Sequence, residues 1–251
     1  MAESIETGER IIILSPDIMT KDYSNLRNSK ILKFPLYSDF LMAIWGYQNY
    51  LNFLSVVLGN RYTLKIFSIL FKFVPNIDFV RAPVGSLKSQ NKFKYELALK
   101  NLFKPDEEIT SDVKLIFQSK RNKYDIICGV HIRKGDYKFW EGGKYFYSQE
   151  QYHQVMMNVK TLFPNRLVAF FISSNVAIDL EAFTDCCCFN IPDSSSAKDL
   201  FGLSICDYIV GPPSTFSGWA SYYGNVLLYF IESPEEKVSL SSFKYIFEIW
   251  D

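Results

Sequence analysis

Gly129-Val130-His131-Ile132-Arg133-Lys134-Gly135-Asp136-Tyr137 decides how the rest of this 251-residue chain is read. Tyr124-Asp125-Ile126-Ile127-Cys128 precedes it, so the apolar run from Ile126 to Ile132 is almost unbroken. A strand without polar alternation is covered on both faces, as in a parallel α/β sheet. It runs into Arg133, Lys134, Gly135 and Asp136, and ligands of open α/β sheets bind at the carboxyl edge of the strands. This turn is not a P-loop, because it lacks the glycine spacing and the closing Gly-Lys-Ser/Thr that cradle phosphates. A plain solvated loop carries the same charges, so the carboxyl half of the chain decides the turn's weight.

Downstream the pattern is regular. Ser148 and Gln151 form a capping box, and Tyr152, Val155, Val159 and Leu162 mark one face of the helix it opens. Leu167 to Ile172 is a second buried strand, running into Ser173-Ser174-Asn175. A helix near Val176 to Phe183, a strand Cys186 to Ile191, a helix Ala197 to Cys206 and a strand Tyr208 to Val210 are expected next. The turn Gly211-Pro212-Pro213-Ser214-Thr215-Phe216-Ser217, a helix from about Ser217 and a strand Val226 to Phe230 complete the series. Strands alternating with helices predict a Rossmann-like parallel sheet.

Upstream, Arg10 to Ser15 reads as a short strand, and Leu36 to Gly59 and Thr63 to Phe73 as apolar helices. Pro105-Asp106-Glu107-Glu108 opens a further helix, since proline and acids suit a first turn. Ile109, Val113, Ile116 and Phe117 give it a core-facing stripe. Ser119 to Lys123 is the linker candidate, which places a smaller, largely helical domain at 1–122 and the sheet domain at 123–251.

Lysine plus arginine equals aspartate plus glutamate, 27 against 27, so no global field favours a nucleic-acid partner. The five cysteines, at 128, 186, 187, 188 and 206, show no zinc spacing, and three adjacent thiols cannot staple one another. Buried, reduced thiols are expected, hence a reducing compartment. Met1 to Glu9 is acidic and polar, which predicts no secretory signal and a cytoplasmic location. Residues 61–74 are basic and aromatic: a core helix, or a segment lying on the inner face of a membrane.

Two strand ends carry chemistry. Arg133 offers a planar guanidinium that can hold two phosphate oxygens at once. Ser214 and Thr215 offer hydroxyls and backbone N–H groups at a helix start, where the dipole favours an anion. The plain alternative for the second turn is a Ser/Thr helix cap. Asp199 is placed to accept from a base such as guanine, or is simply an acid in a helix's first turn, and Asp207 reads as structural.

His131-Ile132-Arg133-Lys134-Gly135-Asp136-Tyr137 resembles the His-x-Arg-Arg-x-Asp motif of the α-1,2-fucosyltransferases, with Lys134 in place of the second arginine. Phe171-Ile172-Ser173-Ser174-Asn175, the segment from Asp199 to Phe216, and Trp219-Ala220-Ser221 resemble later segments of that family, in order. The resemblance implies an α/β, GT-B-like fold and an inverting, metal-independent transfer of fucose from GDP-fucose to a glycan hydroxyl, galactose 2-OH. By position, Arg133 would stabilise the departing β-phosphate. Ser214, Thr215 and Phe216 would line the pyrophosphate, and His131 and Asp199 would meet the guanine. The catalytic base would be Glu141 or Asp136, with Glu141 favoured. The family's opening Gly-Gly-Leu-Gly-Asn-Gln-like turn has no counterpart here, so residues 1–122 read as a divergent or shortened acceptor domain. A transferase using another nucleotide sugar, and a nucleotide-sugar-binding pseudoenzyme, are the alternatives.

Overall fold

The computed structural model describes residues 11–12, 21–29, 32–33, 49 and 96–250. The chain divides into two compact units, Met1–Asp106 and Glu107–Asp251. In the first, strand β1 (Ile11–Ile12) pairs in parallel with β2 (Leu32–Lys33). Two short helices, α1 (Ser24–Arg27) and α2 (Glu96–Leu102), accompany them. Asp106 fastens α1: one carboxylate oxygen accepts from the Ser24 amide at 2.6 Å, and the other pairs with Arg27 at 2.9 Å. Of the expected helix at 36–59 only Asn49, which is helical, is described; the expected helix at 63–73 and the basic segment 61–74 lie outside the described residues.

The second unit opens with α3 (Glu107–Arg121), whose first turn carries Glu107 and Glu108 as the helix dipole favours. Val113 and Phe117 are its buried stripe, and Phe117 meets the rings of Phe171 and Phe189 edge-on at 5.1 and 5.4 Å. The helix therefore belongs to the sheet unit. The division falls before Glu107 and differs from the expected 122/123, since Ser119 to Arg121 are the last turn of α3.

Five strands follow: β3 (Ile126–Ile132), β4 (Val168–Ser174), β5 (Cys187–Phe189), β6 (Tyr208–Gly211) and β7 (Leu227–Phe230). All pair in parallel, in the order β5-β4-β3-β6-β7. Helix α4 (Gln149–Thr161) connects β3 to β4, and the Ser148–Gln151 capping box that starts it is formed as expected. Helix α5 (Ser196–Ser204) leads from β5 to β6, α6 (Thr215–Gly224) from β6 to β7, and α7 (Ile246–Trp250) ends the unit.

The sheet separates two cores. Ile127, Phe171, Leu203, Ile209 and Ala220 pack on the side of α3, α5 and α6. Val130, Ile172, Tyr152, Met156 and Val210 pack on the side of α4. Period-2 alternation along β3 assigns Ile127, Gly129 and His131 to the α5/α6 face. Gly129 packs closely there: a Cβ would lie 2.7 Å from a Leu203 methyl and 3.1 Å from the Cys206 sulfur, so those side chains would have to shift.

Two expectations are corrected. Residues 176–183 form turns, because the Asp179 carboxylate accepts from the Glu181 amide at 3.0 Å and competes with helical bonding. Cys186, Cys187 and Cys188 are half-buried, because β5 is the edge of the sheet; Cys128 and Cys206 are the buried pair. Asp207 is structural as expected, though by tying the start of β3: it accepts from the Ile127 amide at 2.7 Å and pairs with Arg121.

Candidate functional site

From β3 the chain builds outward to β4 and β5, then α5 carries it back to lay β6 on the opposite side of β3. The junction of β3 and β6 is thus the point where strand order reverses, and crevices form at the carboxyl edge of such a switch point. In register, Val130 pairs with Val210. The turns after Ile132 and Gly211 are neighbours in space.

Arg133 leaves β3 with its amide donating to the Tyr152 hydroxyl at 3.3 Å. Its guanidinium faces Asp136: Nη2 donates to one carboxylate oxygen at 3.2 Å, and Nε lies 3.1 Å from the other without alignment for a hydrogen bond. The Tyr137 ring lies 5.7 Å beneath the guanidinium carbon. The Tyr137 hydroxyl donates to the Pro213 carbonyl at 2.5 Å, binding the first turn to the second. Burial raises the Tyr137 pKa, with the Ser214 hydroxyl and Arg133 opposing, so the hydroxyl remains a donor at neutral pH.

Ser214 is the N-cap of α6, accepting from the Phe216 amide at 3.2 Å, so the cap reading is correct as far as it goes. No acid stands in the first turn of α6. Its positive end therefore keeps its attraction for an anion. Arg133, Asp136, Tyr137 and Trp140 from the first turn and Pro213, Ser214, Thr215 and Phe216 from the second line a cavity of about 580 Å³, together with Phe230 at the end of β7.

His131 stands behind Phe216, 2 % exposed, its ring 5.1 Å from the Phe216 ring. Its Nδ1 has no hydrogen-bond partner. Burial first, and the Arg133 charge second, push its pKa down to about 3, so the imidazole is neutral at physiological pH. Gly211 lets it sit there: a Cβ at that position would lie 2.8 Å from the His131 carbonyl oxygen and 2.9 Å from its Cβ.

Asp199 stands in the first turn of α5, beyond the end of β4. Ser173 donates to one oxygen at 2.9 Å and Ser194 to the other. Burial raises its pKa and these hydroxyls hold it down. It does not line the cavity. Neither does Glu141, which is exposed in the left-handed region at φ 48° with no side-chain hydrogen bond among the described residues. Lys134 turns away: its ammonium contacts the Tyr147 carbonyl and lies 4.8 Å over the Phe146 ring. Burial lowers its pKa, Glu150 opposing.

Sequence reasoning thus located five cavity residues, Arg133, Asp136, Ser214, Thr215 and Phe216, and missed Tyr137, Trp140, Pro213 and Phe230. Tyr137 lay inside the decisive stretch, and an aromatic within one tight turn of an arginine was the available signal. Among the described residues, no group of three or more His, Cys, Asp or Glu side chains is placed to hold a metal ion. Among the same residues, no helix is long and apolar enough to cross a membrane.

No protein-family model matches the chain, and no curated protein matches it significantly. Solved structures do. A NodZ α-1,6-fucosyltransferase co-crystallised with GDP is similar at TM-score 0.52 and 15 % identity, covering 91 % of this chain and 87 % of that one. A NodZ α-1,6-fucosyltransferase soaked with GDP-fucose gives 0.51 and 17 %, covering 93 % and 89 %. A fucosyltransferase NodZ from Bradyrhizobium gives 0.42 and 20 %, and there the match covers 54 % of this chain and only 49 % of that one. The first two likenesses show the fold: α/β and GT-B-like, as in those two NodZ structures.

Proposed function

We propose that this chain is a glycosyltransferase that moves fucose from GDP-fucose to a hydroxyl of a glycan, inverting the anomeric centre and needing no metal. The observation that carries the reading is Arg133 facing the acid-free start of α6 across one cavity at the switch point. A pyrophosphate is the ligand that satisfies a guanidinium and a helix amino terminus together. The similarly folded NodZ enzymes with GDP and GDP-fucose support the choice of nucleotide sugar.

In this reaction the acceptor oxygen attacks the anomeric carbon of fucose while the bond to the β-phosphate breaks, and GDP leaves with the electron pair. Arg133 and the N–H groups of α6 stabilise the charge that gathers on the leaving phosphate. Preorganised donors of this kind are usually the largest single contribution to catalysis. They supply the positive charge that a divalent cation gives elsewhere. Ser214, Thr215 and Phe216 would line the pyrophosphate; the motif resemblance alone assigns His131, packed behind Phe216, and Asp199, held by Ser173 and Ser194 on the β4 side, to the guanine end. Asp136 is engaged with Arg133 and orients it, which leaves Glu141, free and on the following loop, to take the acceptor's proton. The motif resemblance assigns galactose 2-OH as acceptor. A cytoplasmic place against the membrane, through 61–74, belongs to the same proposal.

The test is thermal stabilisation by GDP, GDP-fucose and UDP-sugars, with EDTA present, on the wild type and Arg133→Ala. A ligand at 100 times its Kd adds about 2.7 kcal/mol, which a melting curve resolves. Stabilisation by guanine nucleotides alone, lost in Arg133→Ala, supports the donor; a response only to UDP-sugars replaces it. No response defeats the reading. Linkage analysis of the product then decides between α-1,2 and α-1,6.

A further inference from the structure

The nucleotide-sugar reading fixes a direction along the sheet edge. Asp199 is tied to Ser173 at the end of β4, Arg133 follows β3, Ser214 follows β6, and Phe230 ends β7. Neighbouring strands lie about 4.8 Å apart, so β4 to β7 spans roughly 14 Å. With the base on the β4 side and the pyrophosphate between β3 and β6, the sugar end is directed toward β7. There Trp140 and Phe230 complete the cavity.

Trp140 is 41 % exposed and stacks on Tyr145 at 5.2 Å and 29°, while Tyr137 leans on it at 4.8 Å and 47°. The stack is fastened to the chain just after β7. Tyr145 donates its hydroxyl hydrogen to Glu232 at 3.0 Å, Lys144 reaches Glu232 at 3.3 Å, and Tyr147 donates to the Ile231 carbonyl at 2.7 Å. The result is a preset aromatic plane with an exposed carboxylate and ammonium at its rim.

We propose that Trp140, backed by Tyr145 and rimmed by Glu232 and Lys144, is the stacking subsite for a hexose of the acceptor glycan. This rests on the nucleotide-sugar reading above. A pyranose has one apolar C–H face and a girdle of hydroxyls. An aromatic plane matches the face, and charged hydrogen-bonding groups beside it match the girdle. A membrane surface would prefer the same aromatics with unpaired lysines, but Lys144 is matched by Glu232, and Trp140 borders the cavity of Arg133.

The experiment uses GDP-saturated full-length protein and titrates lactose, N-acetyllactosamine and chitotriose by calorimetry. Wild type, Trp140→Ala and Trp140→Phe are compared, and the GDP-induced melting shift is recorded for each. At least one glycan binds the wild type, at least tenfold more weakly in Trp140→Ala and within threefold in Trp140→Phe, and the loss of glycan binding in Trp140→Ala exceeds any change in its GDP affinity, GDP being kept saturating throughout. Should the alanine variant fail to fold, Trp140→Leu provides similar bulk without a π face. Equal glycan binding by the variants, or none by a wild type that GDP stabilises, overturns the subsite and leaves the donor reading standing. So does loss of pelleting with anionic phosphatidylglycerol vesicles in Trp140→Ala while glycan binding is unchanged. A wild type that GDP does not stabilise defeats the donor reading first, and the subsite with it.

Discussion

The Tyr137 hydroxyl lies 2.5 Å from the Pro213 carbonyl oxygen, a hydrogen bond between residues 76 apart in sequence. It couples the arginine turn to the helix-start turn, and both must keep their spacing for one anion to meet both. Tyr137→Phe keeps the ring under Arg133 and removes the bond. A net loss of about 1 kcal/mol is expected for such a bond. On the proposed reading, in which both turns hold the pyrophosphate, GDP affinity should fall about fivefold, the same energy expressed as binding. Chemical denaturation and a GDP titration of the folded variant check both numbers. An unchanged Kd would show that the turns hold their positions without the strap.

The two candidate bases, Asp136 and Glu141, should separate in kinetics. Asp136 is spent on the guanidinium, and Glu141 has no side-chain partner. Glu141→Gln is expected to lower kcat by roughly 10²–10⁴, the usual worth of a general base, with GDP affinity intact. Asp136→Asn should chiefly weaken GDP binding. Measuring kcat and GDP affinity for both variants decides, and the reverse pattern would transfer the base to Asp136.

Acid should unfold this protein partly through His131. Its folded pKa, about 3, lies below the unfolded value near 6.5. Between those limits the unfolded chain binds a proton that the folded chain refuses, so stability falls as pH drops from about 6.5 toward 3. The slope from this one group is at most about 1.4 kcal/mol per pH unit. Urea denaturation at pH 7 and pH 5 should show a smaller difference for His131→Asn than for the wild type. Equal differences would place the acid sensitivity elsewhere.

Gly211→Ala should damage fold and site together. The new methyl group would press on the His131 backbone and Cβ at 2.8–2.9 Å, where β6 meets β3. Overpacking of this kind costs about 1–3 kcal/mol. The relieving movement opens the switch point, so the GDP melting shift should shrink as well as the melting temperature. A variant that melts lower and keeps the full GDP shift would show that the strand junction can yield without moving the turns.

Local features of this chain were legible because local physics writes them. The apolar run of β3, the capping box at Ser148 and the acids that open α3 depend on residues within a few positions of one another. So does the Ser214 cap of α6. Where local bonding competed, the reading failed: Asp179 turns the chain at 176–183 despite its apolar residues. Lys134, which stands where the resembled motif has a second arginine, is tucked against Tyr147 and Phe146 and does not line the cavity.

The sequence by itself determined the alternation of strands and helices, the arginine turn and the helix-start turn. Periodicity and capping are settled by sterics and hydrogen bonds among near neighbours. Tertiary structure alone decided that β6 lies beside β3, because that adjacency depends on how α5 and α6 pack over the same face of the sheet. It also decided that Asp199 is enclosed by two serines, and that Trp140 and Phe230 close the cavity on the β7 side. Those contacts join segments far apart in the chain, and no local rule orders them.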